Sequence, residues 1–229
     1  MTAKGVFITG TDTGVGKTVV ATGLVRGLVA QGLRVAVMKP VASGSERTSE
    51  GLRNEDALAL MAASNVPSPY EQVNPFCFEP AISPHIAADD AGIQVDLAQI
   101  RRHFELLAGG ADWVVAEGAG GWLAPIGAAT SIRDLALTLH LPVLMVVGLR
   151  LGCINHALLT KLAIEAQGAR FAGWVANTID PVMMRRAENL ETLIRLIGEP
   201  PLAIVPHLSA GAPPPALSDA AVELLTSGK

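Results

Sequence analysis

The chain has 229 residues, half of them apolar and 17% charged, with a formal net charge of −4. That length suits one α/β domain with a sizeable core, and the apolar content excludes a largely disordered chain. The acidic balance argues against a broad nucleic-acid-binding face but leaves room for a local basic pocket.

Cys77 and Cys153 form neither a disulfide framework nor a zinc spacing, which points to a reducing, cytoplasmic setting. The opening residues MTAK carry no apolar leader. The longest apolar run, from Leu141 to Leu149, is far short of the roughly 20 residues that span a bilayer. No membrane and no nucleic-acid partner is expected.

In chain order, an apolar strand is predicted at 5–9 and runs into the loop Thr11-Asp12-Thr13-Gly14-Val15-Gly16-Lys17-Thr18. A phosphate-binding loop reads G-x-x-x-x-G-K-[ST]. Gly16, Lys17 and Thr18 fill its last three slots, whereas Thr11 stands where the first glycine belongs and Gly10 falls one residue early. A loop that leaves a strand and opens a helix, here 17–31, points its backbone N–H groups at an anion. The loop is therefore expected to bind a nucleotide, with Lys17 on the β/γ-phosphates and the Thr18 hydroxyl on Mg²⁺. Gly32 stands where a helix C-cap is wanted.

A second strand, 34–39, ends on Lys39 before Pro40. Its lysine is either simply solvated or a second positive charge beside the γ-phosphate. Ser43 and Gly44 follow in a turn that offers a hydroxyl and N–H donors. Helices are predicted at 54–64 and 95–108. Asp56, in the first turn of the former, is either a metal-linked carboxylate or an acid favoured there by the helix dipole.

The strand 113–117 delivers Glu117 to its carboxyl end, followed by Gly118, Gly120 and Gly121. A carboxylate at that tip points into the crevice where phosphates bind and completes a magnesium site. Ser131 and Asp134 form a capping box for the helix 131–140, which accounts for Asp134 better than a catalytic role does. A strand at 143–147, a helix at 155–167 with Gly168 after it, a strand at 172–177, a helix at 184–197 and a strand at 202–205 complete the alternation. Pro213-Pro214-Pro215 marks a linker before a short docking helix, 217–225. Strand and helix in repeated succession predict a single α/β domain: a doubly wound, mostly parallel sheet of the P-loop NTPase type. Neither His85 nor His156 pairs with Cys or acid at metal spacing, and no histidine is given a catalytic role.

Seven stretches resemble the dethiobiotin synthetase family. They are GTDTGVGKT (10–18), KPVASGSE (39–46), GLRNEDALAL (51–60), VNPFCFEPAISPH (73–85), EGAGGWLAP (117–125), VVGLRLGCINHALLT (146–160) and GWVANTI (173–179). The resemblance implies a homodimeric, ATP- and Mg²⁺-dependent cyclo-ligase of biotin synthesis. Its substrates are 7,8-diaminononanoate and CO₂ or bicarbonate. One amine captures CO₂ as a carbamate, the carbamate attacks the γ-phosphorus, and the second amine closes the ring and expels phosphate.

Carried onto this chain, the resemblance makes Thr13, Gly14, Val15, Gly16, Lys17, Thr18 and Val19 the phosphate cradle, with Lys17 and Lys39 as electrostatic catalysts. Thr18, Asp56 and Glu117 become the metal set. Thr13, Lys39, Ser43 and Gly120 contact the substrate, and Glu117, Gly118, Ala119 and Gly120 form a substrate and nucleotide segment. Asn177 reads adenine beside the Pro206-His207-Leu208 turn, and Gly152, Cys153, Ile154 and Asn155 receive the substrate carboxylate from the other subunit. An apolar channel for the diamine is expected from Trp122, Leu123 and Ile154. Gly14 stands where many members carry an acid, and Thr178 where an aspartate is expected.

Two other classes share such a loop. A regulatory or partitioning ATPase of the same fold carries a lysine near the start of the loop, where Thr11, Asp12 and Thr13 stand here. An ATP-dependent amide-forming synthase carries a glutaminase domain, for which this chain is too short.

Overall fold

The computed structural model describes residues 4–209 and 212–226. β1 (Lys4–Gly10) leads through the phosphate-type loop into α1 (Lys17–Ala30) and then β2 (Val35–Met38). Short pieces follow: β3 (Val41–Ala42), β4 (Glu46–Thr48), β5 (Gly51–Arg53), α2 (Glu55–Ala63), α3 (Tyr70–Val73), β6 (Phe76–Cys77) and α4 (Pro84–Asp90). Regular alternation resumes with α5 (Leu97–Gly109), β7 (Trp113–Gly121), α6 (Ile132–Leu139), β8 (Val143–Gly148), α7 (Cys153–Ala166), β9 (Phe171–Asn177), α8 (Arg186–Ile197), β10 (Ala203–Val205) and α9 (Asp219–Thr226).

The main sheet has the order β10-β9-β8-β1-β7-β2, and each neighbouring pair is parallel. Helices cover both faces, so β2 and β8 are buried along their whole length and β1 beyond Lys4. That is why these strands appear in the sequence as continuous apolar runs. β1 lies between β7 and β8, with Ile8 opposite Glu117 and Gly10 opposite Val146. The chain winds away from β1 in both directions. The carboxyl ends of β1, β7, β8 and β9 thus share one edge, where ligands bind in such sheets.

The six strands of the main sheet and the main helices lie where the sequence predicts them, with ends shifted by a few residues. Asn54 Oδ1 accepts from Ala57 N at 3.3 Å and Asp96 Oδ1 from Ala98 N at 2.8 Å, so α2 and α5 start just after those residues. Gly32 and Gly168, with φ of 82° and 74°, follow the ends of α1 and α7 in the left-handed region. Apart from α2, the pieces between β2 and α5 were not expected. After the turn at Ser43 and Gly44, β4 and β5 pair as an antiparallel hairpin, and Gly44 N and Ser45 N donate to Pro80 O and Phe78 O. Strands of two or three residues are too short to show a period.

The carboxyl-terminal segment braces α1. Leu217 N donates to Gly23 O at 2.9 Å, and a Cβ on Gly23 or Gly27 would lie 2.6 Å from Pro215 O or 2.8 Å from Leu217 O. Glycine inside a helix costs about 1 kcal/mol against alanine; here it admits the chain against the helix backbone. Leu217, Ala221 and Val222 are buried there. The Leu224 side chain and residues 227–229 lie outside the described residues. Among the described residues no helix is long and apolar enough to cross a membrane.

At α6 the Ser131 backbone N–H and hydroxyl both donate to Asp134 Oδ2 at 2.8 Å. Slight burial raises the Asp134 pKa, but bonds from Ser131 and Arg133 outweigh it and hold the carboxyl below its ordinary range. Its contribution is therefore present above the unfolded-state value, near 3.9, and is lost as pH falls through the lower folded value. Asp134→Ala should cost about 1 kcal/mol at neutral pH, lowering Tm by roughly 2–4 °C. In thermal melts the gap from wild type should close as the pH is taken below that folded value.

Candidate active site

The loop from Gly10 to Thr18 has its shape because two glycines admit close neighbours. A Cβ on Gly10 would lie 2.7 Å from Val15 Cγ2 and 2.9 Å from Asp12 O. Gly16 sits at φ 82°, and a Cβ there would lie 2.0 Å from Asn177 Nδ2. Asn177, at the end of β9, donates to Val15 O at 2.9 Å and so braces the loop from below. Thr11, in the first-glycine slot, is tied to β8 by its N–H on Val146 O at 3.0 Å. Asp12 is a second brace: Oδ1 accepts from Thr13 N at 2.7 Å, Oδ2 pairs with the Arg150 guanidinium, and its carbonyl accepts from Lys17 Nζ at 3.1 Å.

Beside the loop lies a buried cluster of charge. Lys39 Nζ donates to Glu117 Oε1 at 2.6 Å, Asp56 Oδ2 at 2.8 Å and Gly118 O at 3.3 Å. The Thr18 hydroxyl lies 2.7 Å from Asp56 Oδ1 and 3.0 Å from Glu117 Oε1. Burial works against charge on Lys39, but Glu117 and Asp56 outweigh it and hold the ammonium protonated. Burial pushes the Glu117 carboxyl up, whereas at Asp56 burial is outweighed by Lys39 and the carboxyl is held low. Lys17, desolvated and repelled by Lys39, is lowered to about 8.

The residues suit a hard divalent cation. A hydroxyl and two carboxylates converge on one point, and Glu117 Oε2 is buried with no hydrogen-bond partner among the described residues. Magnesium takes such oxygens together with phosphate and water.

Loop and cluster open into one cleft of about 640 Å³. Thr13, Gly14, Gly16, Lys17, Thr18, Lys39, Ser43, Asp56, Glu117, Ala119 and Gly120 line it, so the structure gathers these expected residues in one place. Val15 is buried behind the loop, Val19 packs against the core and Gly118 offers its carbonyl from within.

The expected apolar channel is different. Trp122 is 3% exposed in the core, and neither it, Leu123 nor Ile154 lines the cleft. Gly120, at φ 65°, stands in the last residues of β7, and Ala124 and Pro125 beyond it line the cleft together with Ala42, Ala81, Ile82 and Pro84.

Pro206 and His207 border a separate crevice of about 460 Å³ together with Thr178 and Arg186, and Leu208 follows them half-buried. His207 Nδ1 lies 3.3 Å from Thr178 O. Gly152, Cys153, Ile154 and Asn155 do not reach their own chain's cleft. They open α7 at Gly152, φ 94°, with no side-chain cap. Leu151, Leu159 and Leu162 beside them are 91%, 58% and 63% exposed.

Sequence reasoning missed Asp12 and Arg150, which join the loop to the segment before α7, and the apolar wall from 81–84. The Asp12–Arg150 pair spans 138 positions, so no local pattern announces it.

An AAA domain family model matches residues 4–214. The chain is 50% identical over 208 residues to the ATP-dependent dethiobiotin synthetase BioD of Pseudomonas paraeruginosa, covering 90% of this chain and 91% of that one. It is 51% identical over 203 residues to that of Yersinia pestis bv. Antiqua, covering 89% and 85%. Among solved structures it superposes on the MinC:MinD cell division complex of Aquifex aeolicus with a TM-score of 0.61 at 17% identity, covering 98% and 95%. It superposes on a ParA family ATPase of Chlorobium tepidum with a TM-score of 0.56 at 15% identity, covering 99% and 90%. These structural likenesses carry the P-loop NTPase fold alone. Half of all positions are shared with the dethiobiotin synthetases across about nine-tenths of the chain, and the chain belongs to the dethiobiotin synthetase family.

Proposed function

We propose that this chain is an ATP-dependent ligase of biotin biosynthesis that forms dethiobiotin from 7,8-diaminononanoate and CO₂, and that it does so in the cleft between the loop and Lys39. The observation that carries the placement is the meeting of Thr18, Lys39, Asp56 and Glu117 beside the glycine loop.

The triphosphate lies on the loop from Thr13 to Val19, against backbone N–H groups at the start of α1. Lys17 leaves the neutral Asp12 carbonyl for a phosphate oxygen, a stronger acceptor. Thr18, Asp56 and Glu117 hold Mg²⁺, which when bound offsets phosphate charge. Asn177, with the turn at Pro206, His207 and Leu208, takes the adenine, and Gly118 and Ala119 flank nucleotide and substrate.

One diamine nitrogen adds to CO₂, loses a proton and becomes a carbamate. Its oxygen attacks the γ-phosphorus and ADP leaves. The second nitrogen attacks the carbamoyl carbon, closes the ring and releases phosphate. No protein nucleophile is required; the protein positions the reactants and stabilises developing charge. Lys17 and Lys39 supply that charge, while Thr13, Ser43 and Gly120 orient the carbamate. Ala42, Ala81, Ile82 and Pro84 offer the diamine's methylenes an apolar wall.

A second protomer completes the site. Its α7 amino terminus, Gly152 to Asn155, takes the diamine's carboxylate, and the exposed Leu151, Leu159 and Leu162 pair the subunits. The free thiols of Cys77 and Cys153 suit a reducing compartment, and we place the enzyme in the cytoplasm.

Phosphate release from MgATP should require both diamine and bicarbonate, with dethiobiotin formed in equal amount; release indifferent to the diamine contradicts the assignment. Lys17→Ala and Lys39→Ala should each lower kcat by about 100-fold or more while changing the diamine KM far less, as expected where transition-state charge is stabilised. A pure KM effect removes those roles. Verified heterodimers of Asn155→Ala and Lys17→Ala subunits should regain turnover, since one of their two sites is then intact; no recovery argues against shared sites.

A further inference from the structure

Lys39 is held at its backbone as closely as at its ammonium. Its N–H donates to Val73 O at 2.8 Å, and its carbonyl accepts from Asn74 Nδ2 at 2.6 Å. Asn74 also donates to Phe76 O at 3.3 Å, and Phe76 N donates to Pro40 O at 3.2 Å. The turn after β2 is thus clamped by α3 and the residues that follow it.

The Tyr70 hydroxyl carries this clamp to the other side of the cluster. It donates to Asn74 Oδ1 at 2.9 Å and accepts from Asn54 N at 2.7 Å. Asn54 is the cap of α2, two residues before Asp56, and its side-chain amide lies 3.5 Å from Ser43 O. The Arg53 guanidinium stacks 4.2 Å above the Tyr70 ring.

These bonds close a ring. It runs from the Lys39 carbonyl through Asn74, the Tyr70 hydroxyl and the Asn54 N–H into α2, and returns from Asp56 Oδ2 to Lys39 Nζ. Asn54 and Asn74 are 5% and 2% exposed, so water cannot stand in for a lost partner cheaply. Without the ring, Asp56, whose side chain is 43% exposed, would be tied to Lys39 only by side-chain tips.

We propose that Tyr70 and Asn74 are positioning residues that fix the Lys39–Asp56 pair, and with it Ser43, in the geometry that phosphoryl transfer needs. Neither touches the cleft, and both act through residues that do. The proposal rests on the reading of Lys39 as the charge that stabilises the reacting groups. A misplacement of about 1 Å in such a site costs up to 100-fold in rate.

The test is steady-state kinetics of Tyr70→Phe and Asn74→Ala, well below their measured Tm, beside Asp134→Ala, which loses a helix cap outside the cleft. Both network variants should lose about 10- to 100-fold in kcat, with KM for ATP and diamine within about threefold of wild type, while Asp134→Ala keeps its kcat. In a Lys39→Ala background Tyr70→Phe can no longer act through Lys39, so its further effect in single turnovers should be clearly smaller than its effect in wild type. Lower Tm with wild-type kcat in both network variants overturns the proposal and leaves a structural role only. An undiminished effect in the Lys39→Ala background overturns it as well. If wild type forms no dethiobiotin, the functional reading itself fails, an outcome separate from an active wild type whose Tyr70→Phe variant turns over normally.

Discussion

A lysine only 3% exposed must find acceptors for its ammonium inside the protein, and much of this molecule is arranged to supply them. Removing such a charge from water costs several kcal/mol unless opposite charge and hydrogen bonds replace the lost solvent. Lys39 obtains Glu117 from β7, Asp56 from α2 and the Gly118 carbonyl. The strand order serves the same need: β7 lies between β1 and β2, so the loop after β1, Glu117 and Lys39 just past β2 come together. β7 runs on to Gly121, and Glu117 stands within it, opposite Ile8, and not at its tip as the sequence suggested.

The phosphate loop and the helix it opens are braced from three directions that have no sequence proximity. Asn177 holds it from β9, Arg150 holds Asp12 from the end of β8, and the carboxyl-terminal segment packs on the glycine face of α1. A loop that offers backbone N–H groups to phosphate works by being preorganised before the ligand arrives. Gly16 shows how tight the arrangement is, since any side chain there would occupy the space of the Asn177 amide.

The departures from the usual loop pattern become intelligible in the same terms. The glycine that matters at the start is Gly10, whose absent Cβ makes room for Val15 and the Asp12 carbonyl, while Thr11 only hydrogen-bonds to β8 through its backbone. At Gly14 nothing lies within 4 Å of an added Cβ, so this position is open towards the cleft and φ 74° alone favours glycine. Apolar residues also wall the cleft, though Trp122 is not one of them. That ring is buried in the core, and smaller residues at 81–84 and 124–125 take its place.

The sequence by itself singled out Glu117 and left Lys39 and Asp56 open until the family resemblance was added. It determined the alternation of strands and helices, the loop with Lys17 and Thr18, and the capping box. It could do so because buried parallel strands and helix caps are local in their physics: continuous apolar runs and a polar residue at a helix start need no distant partner. Tertiary structure alone decided that Asp56 faces Lys39 instead of serving only the helix dipole, and that Trp122 leaves the cleft. It also decided that Tyr70, Asn74 and Asn54 stand behind the cluster, and that Arg150 clamps Asp12. Apart from the burial of Trp122, those facts rest on bonds such as Lys39–Asp56, Asn54–Tyr70, Asn74–Lys39 and Asp12–Arg150, between residues 16 to 138 positions apart, whose partners are chosen by the winding of the sheet and leave no periodic trace in the chain.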